Sequence, residues 1–149
     1  MSTMMLQKNK WIAAIALAGA VGLLASCQSM APTMGGEQVS LRGASEVPPV
    51  TTSASGSGTV TIKDDRSVSA KITVTGMTAT AAHIHEAAAG SNGPVIVPFT
   101  KTSDNTFEAP AGAKLTDAQY ASYKAGKLYV NVHSAANPGG EIRAQLKGS

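Results

Sequence analysis

The stretch "GTVTIKDDRSVSAKITVTGM", residues 58–77, restricts the fold more than any other part of the chain. Val60 and Ile62 alternate with Thr59, Thr61 and Lys63. After "DDRS", Val68, Ala70, Ile72 and Val74 alternate with Ser69, Lys71, Thr73 and Thr75. Successive side chains of a strand point to opposite faces, so this pattern predicts an antiparallel hairpin with one apolar and one polar face. Asp64 and Asp65 then serve the turn, where their carboxylates satisfy local backbone N–H groups.

Short β-runs divided by Gly, Asp, Asn and Pro fill the rest of the chain from Gln38 onward. "SASGSG" before the hairpin reads as a flexible loop, and "GPVIVPF" at 93–99 as a strand that its two prolines push to a sheet edge. In "KLYVNVHS", Leu128, Val130 and Val132 share one face and Tyr129, Asn131 and His133 the other, which is expected to be wet. "NPGG" is a turn and "EIRAQL" the last strand. One helix interrupts the strands: Thr116 and Gln119 have the spacing of a capping box, Ala118 to Lys124 suit a helix, and Gly126 is placed to end it. Six or more strands with one short helix predict an all-β Greek-key β-sandwich.

The N-terminal segment stands outside that fold. Lys8 and Lys10 precede a fifteen-residue apolar run, Trp11 to Ala25, shorter than the roughly 20 residues a spanning helix needs and typical of a secretory signal peptide. Leu24-Ala25-Ser26-Cys27 resembles the lipobox of bacterial lipoproteins, which implies a signal peptide over 1–26, a lipidated Cys27 as the membrane anchor, and a tether to residue 36 before a domain over 37–149. Cys27 is the single cysteine of the chain, so no intrachain disulfide is available in an oxidising compartment. By analogy with lipoprotein sorting, Gln28 directs the product to the outer membrane, facing the periplasm or the cell surface. Losing Lys8 and Lys10 leaves ten basic against nine acidic side chains, a net charge of +1. With no basic cluster interleaved with aromatics, nucleic acid is not an expected partner.

The chemistry rests on the histidines, of which there are three. His83 and His85 are i and i+2 on a predicted strand, about 6.6 Å apart on one face, and can lean toward one ion with metal–nitrogen bonds of about 2.0–2.1 Å. His133 has the parity to supply a third imidazole. Imidazole ligation suits copper, zinc or nickel, and copper(II) binds most tightly for a given site, so copper is the expected ion, with zinc as an alternative. The bland reading is a pair of solvated imidazoles on a wet strand. Glu86 reads as a surface charge rather than a fourth ligand, and Asn131 as a residue that orients a ligand by hydrogen bonding. No nucleophile elbow, phosphate-binding glycine loop or zincin helix is present.

"EVPPV" at 46–50, "AAHIH" at 81–85, "NGPVIV" at 92–97 and "GKLYVNVHSAANPGGEIRAQL" at 126–146 resemble the CHRD domain, the module named after chordin, from about Val39 to Leu146. Such domains are similar in fold to copper-zinc superoxide dismutase, which implies an immunoglobulin-like sandwich. The resemblance places His83, His85 and His133 at copper-ligand positions and Arg143 where an arginine attracts the anionic substrate; pairing of Arg143 with Glu141 is the plainer expectation. The bridging histidine, the zinc ligands and the disulfide cysteines of that enzyme are missing. Three functions follow. The first is copper buffering, transfer or redox protection by a lipid-anchored metal-binding domain. The others are a copper-only superoxide dismutase and a metal-free module that binds an envelope protein.

Overall fold

The computed structural model describes residues 35–148. The expected leader, Cys27 and most of the expected tether lie outside the described residues. Nine strands follow: β1 Glu37–Arg42, β2 Ser55–Ile62, β3 Val68–Thr75, β4 Ala79–Glu86, β5 Val95–Pro98, β6 Thr100–Ser103, β7 Thr106–Glu108, β8 Leu128–Ser134 and β9 Ile142–Gln145. A 3-10 turn occupies Gly43–Ser45, and one α-helix, α1, spans Asp117–Lys124. The first strand begins at Glu37.

All pairings are antiparallel, in the order β5-β4-β8-β9-β1-β2-β3-β7-β6. Between β9 and β1 the register is a single pair, Arg42 opposite Arg143. This seam divides the sheet into two layers that fold over one core. At the far side Lys101 Nζ of β6 donates to the Ala79 carbonyl of β4 at 3.0 Å, so the sheet nearly closes into a sandwich-like barrel. The core is the apolar face foreseen from the alternation. Leu41, Val60, Ile72, Val74, Ile84, Val130, Val132 and Ile142 are all buried in one cluster, and burial of each such side chain contributes about 1.5–3 kcal/mol.

Local chemistry explains the connections. The β2–β3 hairpin pairs Ile62 with Val68. Asp65 Oδ1 caps its turn by accepting from Ser67 N at 3.0 Å, and Arg66 takes the left-handed φ of 70°. Asp64 has a different partner, accepting from Tyr120 Oη of α1 at 2.9 Å. The capping box of α1 is complete: Gln119 N donates to Thr116 Oγ1 and Thr116 N to Gln119 Oε1. Gly126 follows the helix at φ 68°. β5 is an edge strand as its prolines require.

Two expectations are corrected. "SASGSG" is not a loop, because β2 begins at Ser55 and pairs through Gly56 and Gly58 with both neighbours. Glycine is used there for proximity: a Cβ at Gly58 would lie 2.0 Å from the Lys71 carbonyl oxygen and 2.9 Å from Ile72 Cα. The outer face of β8 is not wet either, since all seven of its residues are buried. Loops around 46–50, 87–94 and 135–140 cover it, through bonds described below. Gly58→Ala should lower stability by about 1–3 kcal/mol, as overpacking does; a thermal melt unchanged from the parent would contradict the close approach.

Candidate metal centre

The covered outer face is built by cross-strand register. His83 lies opposite Asn131, and His85 opposite Tyr129, between β4 and β8. Asn131 and Tyr129 in turn lie opposite Arg143 and Gln145 of β9. Because side chains alternate, Ala82 and Ile84 enter the core while His83 and His85 share the outer face with His133, which pairs with Ala81. The three imidazoles converge: one nitrogen from each lies within 4.8 Å of the other two.

Backbone carbonyls set the tautomers. His85 Nδ1 is 2.9 Å from the Gly93 carbonyl oxygen and His133 Nδ1 is 2.9 Å from that of Pro138. A carbonyl only accepts, so each Nδ1 carries the proton and each neutral ring keeps a bare Nε2 lone pair. His133 Nε2 accepts from His83 Nδ1 at 2.9 Å. His85 Nε2 has no partner, although its residue is only 8% exposed. The His85 ring also stacks on Tyr129, with centroids 4.8 Å apart and planes within 7°.

His83 and His85 resist protonation. Burial, followed by repulsion from His133 and His85, holds the His83 imidazole down to about 4. Burial also lowers His85, against the opposing pull of the Gly93 carbonyl. Both therefore offer lone pairs at neutral pH, the form a metal requires.

The remaining predicted residues are distributed unevenly. Asn131 is 2% exposed and lies opposite His83 in the register of β4 and β8. Glu86 is not a ligand, since its Oε1 accepts from Ser122 Oγ of α1 at 2.6 Å. Arg143 neither faces solvent to guide an anion nor pairs with Glu141. It is 1% exposed, its guanidinium sits 3.4 Å from the Tyr129 ring centroid, and it donates to Ser91 O, Asn92 Oδ1 and Gln145 Oε1. Its opposite charge is Glu46, whose carboxyl burial pushes up while Arg143 and Asn131 pull it down. Glu141 instead accepts from Thr52 Oγ1 and Ser134 Oγ. The physical reason is the cover of the outer face: once loops bury it, Arg143 is bound by their carbonyls.

Tyr129 and Glu46 are site residues that the sequence reading missed. Tyr129 had a signal, an aromatic at the parity of the histidines. Glu46 had none beyond "EVPPV", because its approach depends on how the 43–50 loop folds.

Fold and site together define an all-β domain with three converged histidines under a loop-covered sheet face. The family model of the CHRD domain matches residues 38–146, and the chain belongs to that family. Searches of curated proteins and of solved structures found no match.

Unfolded His83 takes a proton near 6.5 and folded His83 near 4, so between those values the unfolded state binds more protons. The stability contributed by neutral His83 is complete above pH 6.5 and is lost as pH falls toward 4. The thermal midpoint should drop from pH 7 to pH 4.5, and less steeply in His83→Ala; equal slopes would rule this linkage out.

Proposed function

We propose that the chain is an exported, lipid-anchored protein whose CHRD domain binds a transition metal through His83, His85 and His133. Copper is preferred over zinc, and the role is copper buffering, transfer or redox protection in the cell envelope. One observation carries this reading: a buried His85 Nε2 without a partner, beside a His133 of the same tautomer whose Nε2 accepts from His83 Nδ1. Buried polar atoms are ordinarily satisfied, and an orphan deserves a partner.

The donor set fits an ion. Two metal–nitrogen bonds of about 2.0–2.1 Å at a right angle place their nitrogens about 2.9 Å apart, the separation of His83 Nδ1 and His133 Nε2. An ion would stand where those two rings share a proton, and His83 would then carry its proton on Nε2 and ligate through Nδ1 as a neutral imidazole. Carbonyl bonds at the far nitrogens of His85 and His133 are the outer partners that metal-binding imidazoles ordinarily have. Copper, when bound, supplies either a stored ion or a one-electron couple. His83, half-buried, leaves the ion a way in. Buried Arg143 gives no support to superoxide guidance.

Copper(II) titration of the full chain in detergent, followed by electron paramagnetic resonance, should give one copper per chain with nitrogen hyperfine structure. His83→Ala, His85→Ala and His133→Ala should each weaken binding by at least tenfold; undiminished binding in these variants would refute the site. The anchor rests on Leu24-Ala25-Ser26-Cys27. Metabolic labelling with palmitate in a bacterial host should mark the parent and leave Cys27→Ser unlabelled, whereas an unlabelled parent would exclude lipidation.

A further inference from the structure

Three buried side-chain atoms of the described residues have no hydrogen-bond partner: Glu46 Oε1, Asn131 Oδ1 and His85 Nε2. They belong to one chain of contacts, because the Asn131 amide lies within interaction distance of both the Glu46 carboxylate and the His85 ring. Its Nδ2 faces the Gly139 carbonyl at 3.4 Å. Nδ2 and Glu46 Oε1 also border the bare face of Gly140, where an added Cβ would come within 2.5 Å of either atom.

An amide has one donating end and one accepting end. The Glu46 carboxylate and the bare His85 Nε2 both require a donor, so one of the two contacts must set acceptor against acceptor. With Nδ2 facing Gly139 O and standing beside Glu46 Oε1, Oδ1 is the end of the amide left for the His85 ring, and neither Oδ1 nor His85 Nε2 has a partner, at residues 2% and 8% exposed. Such a cluster is short of one cation. The side chain that leaves it short is held in place from behind by a carboxylate that is itself only 4% exposed.

We infer that Asn131 Oδ1 is a fourth ligand of the ion held by His83, His85 and His133, and that Glu46 is the positioning residue that keeps it so turned. This rests on reading the histidine cluster as a metal site. Mixed nitrogen and oxygen ligation suits copper(II). Three neutral imidazoles and a neutral amide also leave a dication uncompensated, and Glu46 supplies negative charge one residue removed from the ion. The two roles are linked, because a negative carboxylate beside the amide favours the orientation that turns Nδ2 toward it and Oδ1 away.

The experiment uses the full chain in detergent with copper(II), comparing the parent, Asn131→Ala and Glu46→Gln by chelator competition and electron paramagnetic resonance. Both variants should still bind one copper through three nitrogens, about 10–100-fold more weakly, with the same altered parallel hyperfine splitting. Glu46→Gln is nearly isosteric, and its new amide can donate to Asn131 Oδ1 and turn that oxygen from the ion. In parent protein labelled with [13C]asparagine, electron–nuclear double resonance should detect a coupled carbon, lost in Glu46→Gln. This measurement does not depend on Asn131→Ala folding. No coupled carbon in the parent overturns the ligand assignment while leaving the histidine site intact. A coupled carbon unchanged in Glu46→Gln overturns the role of Glu46. A parent that binds no copper overturns both this inference and the reading beneath it.

Discussion

The buried guanidinium of Arg143 is the interaction on which the rest of this structure depends. A charge taken out of water is expensive unless it is paired and hydrogen-bonded, and at 1% exposure Arg143 must find every partner inside the protein. It finds them in Tyr129, Gln145, Ser91 O, Asn92 Oδ1 and the charge of Glu46. Asn92 passes the constraint on, since its Nδ2 donates to the Val47 carbonyl at 2.7 Å. Two loops distant in sequence are thereby drawn over the outer face of β8 and β9. Arg143 also stands at the seam, opposite Arg42, where the two layers of the sheet meet.

The cover changes the chemistry beneath it. Under it, His85 and His133 are buried and their Nδ1 protons are claimed by the Gly93 and Pro138 carbonyls, both in the covering loops. Imidazoles in water would titrate near 6.5; here burial keeps His83 neutral to about 4. The loops thus bury the rings, choose which nitrogen is bare, and help keep His83 and His85 unprotonated. Tyr129 joins the two parts of this arrangement, stacking on His85 while the Arg143 guanidinium lies over its ring.

What could be read from residues was whatever depends on period and local turn chemistry. The alternation of 58–75 gave its hairpin with Ile62 against Val68, and Thr116 with Gln119 gave the helix start. His83 and His85 follow from strand parity, and His133 from the same parity on β8. Misreadings came where a neighbour decides. "SASGSG" has no side chains to signal a strand, and its glycines make sense only against the Lys71 carbonyl. Arg143 reads in sequence as a partner of Glu141, because nothing near it announces the Ser91 and Asn92 loop.

The amino-acid sequence alone determined the β architecture, the helix and the face on which three histidines stand, because period-two alternation and capping act between residues close in the chain. Tertiary structure alone decided that this face is interior, that Nε2 of His85 is bare and that Glu46 and Asn131 stand beside it. Those facts arise from loops brought together across 40 or more residues, and the burial of one guanidinium, a property of the assembled fold, is what holds them there.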